Sequence, residues 1–144
     1  MEHENKPQFF GVAYLAGIFD GEGSLSLYKS MTGSTSGKPT YSLVGQITNR
    51  CIPLLESTKL LYGGTVGIRK DGCGVWRVIS NDLDRFFSHI SPSLFIKKHL
   101  FELALQYRQD CPSNPGGRGR TEEMLSTQEN YYLKFKEAQR RWKP

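Results

Sequence analysis

Leu15-Ala16-Gly17-Ile18-Phe19-Asp20-Gly21-Glu22-Gly23 is the stretch that decides the fold. Ala13, Gly17 and Gly21 recur every four residues, so on a helix they share a face without bulky side chains. Such a face lets a second helix approach backbone to backbone. Residues 9 to 19 are apolar on most sides, which predicts a buried helix, and Gly21 and Gly23 end it. Glu22 then lies at the helix terminus. Two copies joined through their small-residue faces bring two carboxylates to one axis, where like charges repel unless divalent cations lie between them. Asp20, inside the last turn, reads as a structural hydrogen-bonding group.

Working outward, residues 24 to 28 alternate with period two, and after a Gly/Ser/Thr-rich connection the alternation resumes over 40 to 47, a hairpin with a long loop. Residues 52 to 62 fit a helix opened by Pro53 and stopped by Gly63-Gly64. Strands are predicted over 65 to 69 and 75 to 79, joined by the turn Lys70-Asp71-Gly72. Asn81 or Asp82 is expected to cap a helix with the stripe Leu83, Phe86, Phe87 and Ile90. Ser91-Pro92 ends it, and a longer helix follows over 94 to 108. Residues 110 to 120, rich in Pro and Gly, form a loop, and 121 to 142 form a terminal helix. The order is α+β, αββαββα followed by further helix, in one domain with its core at about 9 to 109.

Composition narrows the function. The chain has 144 residues, 38% hydrophobic and 12% aromatic, enough for one globular core. Its net charge of +5 is unevenly placed. Residues 1 to 22 carry one lysine against four acids, 23 to 81 carry seven basic groups against two acidic, and 82 to 144 carry eleven against eight. A basic, strand-rich middle fits a phosphate-bearing partner. The three cysteines, Cys51, Cys73 and Cys111, have no zinc-ligand spacing and read as structural or incidental. No apolar run is long enough to span a bilayer, so the expectation is a soluble, intracellular protein without a membrane partner.

The segment from Leu15 to Gly23 resembles the nine-residue signature of the LAGLIDADG homing endonucleases, with Glu22 at the position where the family usually has Asp. The αββαββα order, the Gly63-Gly64 step and the segment from Pro92 to Lys97 follow the family pattern as well, so the resemblance covers roughly residues 12 to 108. It implies a four-stranded antiparallel sheet backed by helices, forming a saddle over double-stranded DNA. One copy of the motif implies a homodimer, meeting through Ala13, Gly17 and Gly21. It also implies a site-specific, double-strand DNA endonuclease, a metal-dependent hydrolase of intron-homing type with a long, near-palindromic target. Glu22 and the Gly21 carbonyl would hold Mg²⁺; Mn²⁺ would substitute, and Ca²⁺ would support binding only. Asn49, with Gln46 beside it, and Lys97, with Lys98 as the alternative, match the residues that order solvent and stabilise charge. Where some relatives carry an Arg, this chain has Ile52-Pro53, leaving Arg50 as a weak substitute. The alternative is a non-cleaving intron RNA maturase or a DNA-binding regulator of the same fold.

Strand parity assigns the DNA-facing set. In the first hairpin Ser24, Ser26, Tyr28 and Ser30 oppose Leu25 and Leu27, while Thr40, Ser42, Val44 and Gln46 oppose Tyr41, Leu43 and Ile47. In the second, Arg69 is set against Val66 and Ile68, and Arg77 against Trp76 and Val78, with Lys70 in the turn. Arg and Gln can read guanine and adenine edges, whereas Ser, Thr and Tyr contact bases or phosphates.

Overall fold

The computed structural model describes residues 11–31, 37–112 and 121–140. The predicted first turn at 9 and 10, the loop over 113 to 120 and the last residues of the terminal helix lie outside them. The elements run α1 Val12–Glu22, β1 Gly23–Ser30, β2 Thr40–Asn49, α2 Ile52–Tyr62, β3 Thr65–Ile68, β4 Gly74–Ile79, α3 Ser80–Ile90, a 3-10 turn Ser91–Ser93, α4 Lys98–Asp110 and α5 Glu122–Arg140. The four strands form one sheet in the order β1-β2-β4-β3. β4 pairs antiparallel with both β2 and β3. Among the described residues no helix is long and apolar enough to cross a membrane.

The chain divides into two compact units: Met1–Leu25 with Val44–Lys97, and Ser26–Leu43 with Lys98–Pro144. The first unit is organised around aromatic rings. Phe86 of α3 meets Phe19 of α1 edge-on at 5.9 Å, Tyr62 of α2 at 5.0 Å and Trp76 of β4 at 4.9 Å. Phe19, Trp76 and Phe86 are wholly buried. Edge-to-face pairs add about 0.5–1.5 kcal/mol each beyond the area they bury. Trp76 also donates its indole N–H to the Gly63 carbonyl at 2.8 Å, satisfying the one polar atom this ring brings inside. Gly63 and Gly64, at φ 79° and 85°, turn the chain from α2 into β3 in a conformation that disfavours side chains.

In the second unit α4 packs on α5. Tyr107 and Tyr131 meet edge-on at 5.5 Å, Gln128 donates to the Tyr107 hydroxyl at 3.2 Å, and Tyr131 donates to Asp110. Glu129 of α5 gathers the hairpin residues of this unit. It pairs with Lys29 of β1 at 2.8 Å and accepts from the Tyr41 hydroxyl of β2 at 2.5 Å. These hydrogen bonds hold the Glu129 carboxyl below its usual range, and burial beside that carboxylate pushes the Tyr41 phenol up. Thr121 accepts from the Met124 amide at 3.1 Å, capping α5 at its start.

Four expectations are corrected. α1 is only half buried: Leu15, Ala16 and Phe19 face the core, while Ala13, Tyr14, Gly17 and Gly21 are exposed. Val44, placed by parity on the polar face, is buried, and Ile68, placed on the apolar face, is 65% exposed because β3 lies at the sheet edge and ends there. Neither Asn81 nor Asp82 caps α3; β4 feeds into the helix through Ser80, at φ 55°, with no side-chain cap. The helix predicted from 94 begins only at Lys98. Residues 95 to 97 are bends instead, and Asp20 accepts from the Phe95 and Lys97 amides there.

A Cβ on Gly64 would overlap the Arg77 main-chain carbonyl, and its backbone is left-handed. Gly64→Ala should therefore lose at least about 1–2 kcal/mol. Urea unfolding should show a lower midpoint at constant slope; an unchanged midpoint would contradict this packing.

Candidate active site and nucleic-acid interface

The acidic site is built at the end of α1. The ring of Phe19 packs edge-on against both Phe86 and Phe87, the latter at 5.1 Å, and so holds the last turn against the core. Gly23 follows because a Cβ there would run into the Phe19 ring. Glu22 is thus left exposed as the last helical residue.

Two elements converge on it. Asn49, the last residue of β2, donates its side-chain amide to the Glu22 carboxylate. Its own carbonyl oxygen accepts from the Cys51 amide at 2.7 Å, which holds the Asn49 side chain in place. The segment after the 3-10 turn is tied to the same helix end. Asp20 accepts from Phe95 N–H at 2.8 Å and from Lys97 N–H at 2.9 Å. The Lys97 ammonium then donates to the Phe19 carbonyl at 3.1 Å and to the Gly23 carbonyl. Burial pushes the Lys97 ammonium below its ordinary range, and the charge of Asp20 works against that shift. Sequence parity and spacing do not show the two Asp20 bonds, because they close a contact between residues 75 and 77 positions apart.

The Gln46 side-chain oxygen accepts from Arg77 Nε at 3.3 Å, across the β2–β4 pair in which the two residues stand opposite each other. Arg77 and Thr65 are opposite each other across β4–β3. Gln46, Arg77 and Thr65 therefore share one face of the sheet. Arg69 and Lys70 are exposed at the tight turn that the Arg69 amide closes by donating to Cys73 O at 2.8 Å. Arg50 donates to the Asp71 carbonyl at 3.2 Å. The parity extends further than sequence reading took it: Thr48, Val75 and Ile79 lie on the Arg77 face too.

Ser24 belongs to the first unit and is half-buried. Ser26, Tyr28, Ser30, Thr40 and Ser42 belong to the second. Tyr28, Ser30, Thr40 and Ser42 are exposed, as expected of a polar strand face. Thr40 donates its hydroxyl to the Ser30 carbonyl at 3.2 Å. Ser26 is engaged by α5, accepting from Gln139 Nε2 at 2.6 Å. Lys98 is exposed at the start of α4, in the second unit, whereas Lys97 is tied to α1 within the first. Gly17 and Gly21 are open: a Cβ at either would meet nothing within 4 Å.

Asp20→Ala should release residues 95 to 97 without disturbing the sheet. A hydrogen bond to a charged group contributes about 1.5–3 kcal/mol, so the Phe95 and Lys97 amides should exchange at least tenfold faster. Amide exchange on β4 should stay unchanged. Protection of Phe95 and Lys97 equal to that of the parent chain would disprove the tie.

No protein-family model and no curated protein sequence matches the chain. Solved structures do. The homing endonuclease I-CvuI superimposes with a TM-score of 0.77 at 20% identity, over 88% of this chain and 80% of its own. The archaeal intron-encoded homing endonuclease I-Vdi141I gives 0.71 at 19%, over 88% and 82%. The LAGLIDADG homing endonuclease I-LtrWI gives 0.67 at 23%, over 90% of this chain and 46% of its own. With one signature helix ending on Glu22, and a four-stranded sheet with α2 and α3 packed on β4, the chain has the fold of the LAGLIDADG homing endonucleases.

Proposed function

We propose that the chain is a site-specific, double-strand DNA endonuclease of the LAGLIDADG homing type, working as a homodimer with a divalent cation. The observation that carries this reading is the exposed Glu22, held by Asn49 at the end of a helix whose small-residue face is bare. The neighbours support it: I-CvuI is solved in complex with DNA target in the presence of Mg and of Ca, and I-LtrWI bound to target DNA.

The donor set fits a hard cation. Among the described residues no three His, Cys, Asp or Glu side chains gather into a closed metal cage. One carboxylate and the Gly21 carbonyl per chain suit an ion that takes few carboxylates and completes its sphere with water and phosphate oxygens, as Mg²⁺ does. Glu22 and Gly21 would hold it, with Mn²⁺ as a substitute and Ca²⁺ supporting binding only. When bound, the cation supplies charge stabilisation at the scissile phosphate. Asn49 fixes the direction of the Glu22 carboxylate. Lys97 puts a half-buried positive charge on the Phe19 and Gly23 carbonyls at the end of α1, opposing the negative field of that terminus. Gln46, Arg77, Arg69 and Lys70 of the first unit, and Tyr28, Ser30, Thr40 and Ser42 of the second, supply groups that contact bases and phosphates.

Glu22→Gln keeps the side chain's shape and removes its charge. Nicking of a cognate duplex in Mg²⁺ should fall below detection, while mobility shift in Ca²⁺ persists, because removing negative charge lessens repulsion of DNA. Cutting at the parent rate would reject Glu22 as the ligand. A parent chain that binds the duplex in Mg²⁺ without ever cutting it would establish the non-cleaving maturase or regulator reading instead.

Gly17→Leu tests the dimer. A Cβ at this exposed position meets nothing within 4 Å, so the fold should survive, while two helices in backbone contact have no space for the side chain. Sedimentation should show a folded monomer that no longer cleaves. A fully active Gly17→Leu dimer would remove Gly17 from the interface.

A further inference from the structure

α5 carries two stripes. Gln128, Tyr131 and Phe135 are buried, and the first two meet Tyr107 of α4. One residue further along, Glu129, Tyr132, Lys136 and Gln139 recur at intervals of three and four, which places them on a single face of the helix. That face meets the β1–β2 hairpin. Glu129 accepts from Lys29 and from Tyr41, and the Tyr132 ring stands edge-on to Tyr41 at 6.3 Å with the Lys29 ammonium over it at 5.6 Å. The Lys136 ammonium lies over the same Tyr132 ring at 4.5 Å, and Gln139 donates to Ser26 further down β1. The stripe holds no aliphatic residue, so directed polar contacts fasten the helix to the hairpin.

One carboxylate takes both strands of that hairpin. β2 pairs with β4 only from Val44 onward, since β4 ends at Ile79, and residues 40 to 43 are left to β1. Such a two-stranded ribbon twists more readily than the middle of a sheet. Apolar packing is non-directional and would not set the twist, whereas hydrogen bonds demand defined angles. Thr40 joins the same two strands one residue further out by donating to the Ser30 carbonyl. The anchors alternate with the exposed polar set: Tyr28 and Ser30 flank Lys29, and Thr40 and Ser42 flank Tyr41. Successive side chains of a strand point to opposite faces, so holding Lys29 and Tyr41 fixes the direction of those four neighbours.

We propose that Glu129 is a positioning residue for DNA binding: from α5 it sets the twist of the outer hairpin, and through it the aim of Tyr28, Ser30, Thr40 and Ser42, without touching the duplex. This rests on the proposed DNA-cleaving function and adds to it a residue of α5. The sign of its effect separates positioning from charge. A carboxylate near bound DNA repels phosphates, so by charge alone the loss of Glu129 tightens binding to every duplex. By positioning, its loss weakens the cognate duplex only.

The test uses the intact chain, a cognate duplex selected by the parent chain from a randomised library, and a random duplex as reference. In Glu129→Ala the ratio of cognate to random affinity should fall about tenfold or more, the worth of a hydrogen bond to a charged group. Random-duplex binding should be at least as tight as the parent's. Tyr41→Phe keeps the charge and deletes one tie, so its ratio should fall about fivefold with random-duplex binding unchanged. This gentler variant decides alone where Glu129→Ala fails to fold. The cleavage rate at saturating cognate duplex should match the parent in both, because Glu22, Asn49 and Lys97 belong to the other unit. Without DNA, the amides of residues 28 to 30 and 40 to 42 should exchange faster in Glu129→Ala while those of α4 keep their protection. An unchanged ratio in either folded variant overturns the proposal, as does tighter cognate binding in Glu129→Ala. A saturating rate that falls together with the ratio overturns it in favour of a general loss of structure. Should the parent chain bind selectively without cutting, the endonuclease reading falls and the affinity ratios still decide the role of Glu129. A parent chain that selects no duplex overturns both.

Discussion

The edge-on packing of Phe19 against both Phe86 and Phe87 is the constraint on which the rest of the first unit depends. A helix of small and aliphatic residues has no intrinsic rotational preference against a core. One large ring near its C-terminal end supplies it, because the ring fits only one slot at native packing density. With the ring seated, Leu15 and Ala16 turn inward, Ala13, Gly17 and Gly21 turn outward, and the helix ends where Glu22 meets Asn49. Gly23 is part of the same constraint, since the ring occupies the space its Cβ would need.

The acid sits where helix electrostatics oppose it. The C-terminus of α1 bears partial negative charge on its unpaired carbonyls, and a carboxylate there is of the wrong sign. Lys97 answers this by donating to the Phe19 and Gly23 carbonyls at this helix end, and Asn49 by donating to the carboxylate itself. Asp20 supports the arrangement indirectly, because its two bonds to the backbone of 95 to 97 bring Lys97 to the helix end. An arrangement that holds a carboxylate against an unfavourable field is the kind of local conflict expected at a functional site.

The second unit solves a different problem. Its helices carry more polar residues than apolar ones, so packing is supplemented by directed contacts. Glu129 ties Lys29 and Tyr41 to α5, Gln128 reaches the Tyr107 hydroxyl, and Gln139 reaches Ser26. The last of these takes a strand hydroxyl that alternation alone would leave to a ligand.

By itself the sequence determined what short-range physics controls. The small-residue stripe of α1, the Pro53 start and Gly63-Gly64 stop of α2, the Lys70-Asp71-Gly72 turn and the inward Trp76 and Val78 follow from spacing, φ requirements and period-two alternation, all of which act over a few residues. The pairing of Glu22 with Asn49 was legible only as two candidates, not as a contact. Tertiary structure decided the rest. It began the helix expected from residue 94 only at Lys98, and it bound the amides of Phe95 and Lys97 to a carboxylate 75 and 77 residues earlier. It removed the Asn81 or Asp82 cap, because β4 runs straight into α3. It exposed half of α1, and it put Ile79 beside Arg77. Each depends on which distant surfaces meet, and a hydrogen bond or a burial between residues far apart leaves no periodic mark on either segment.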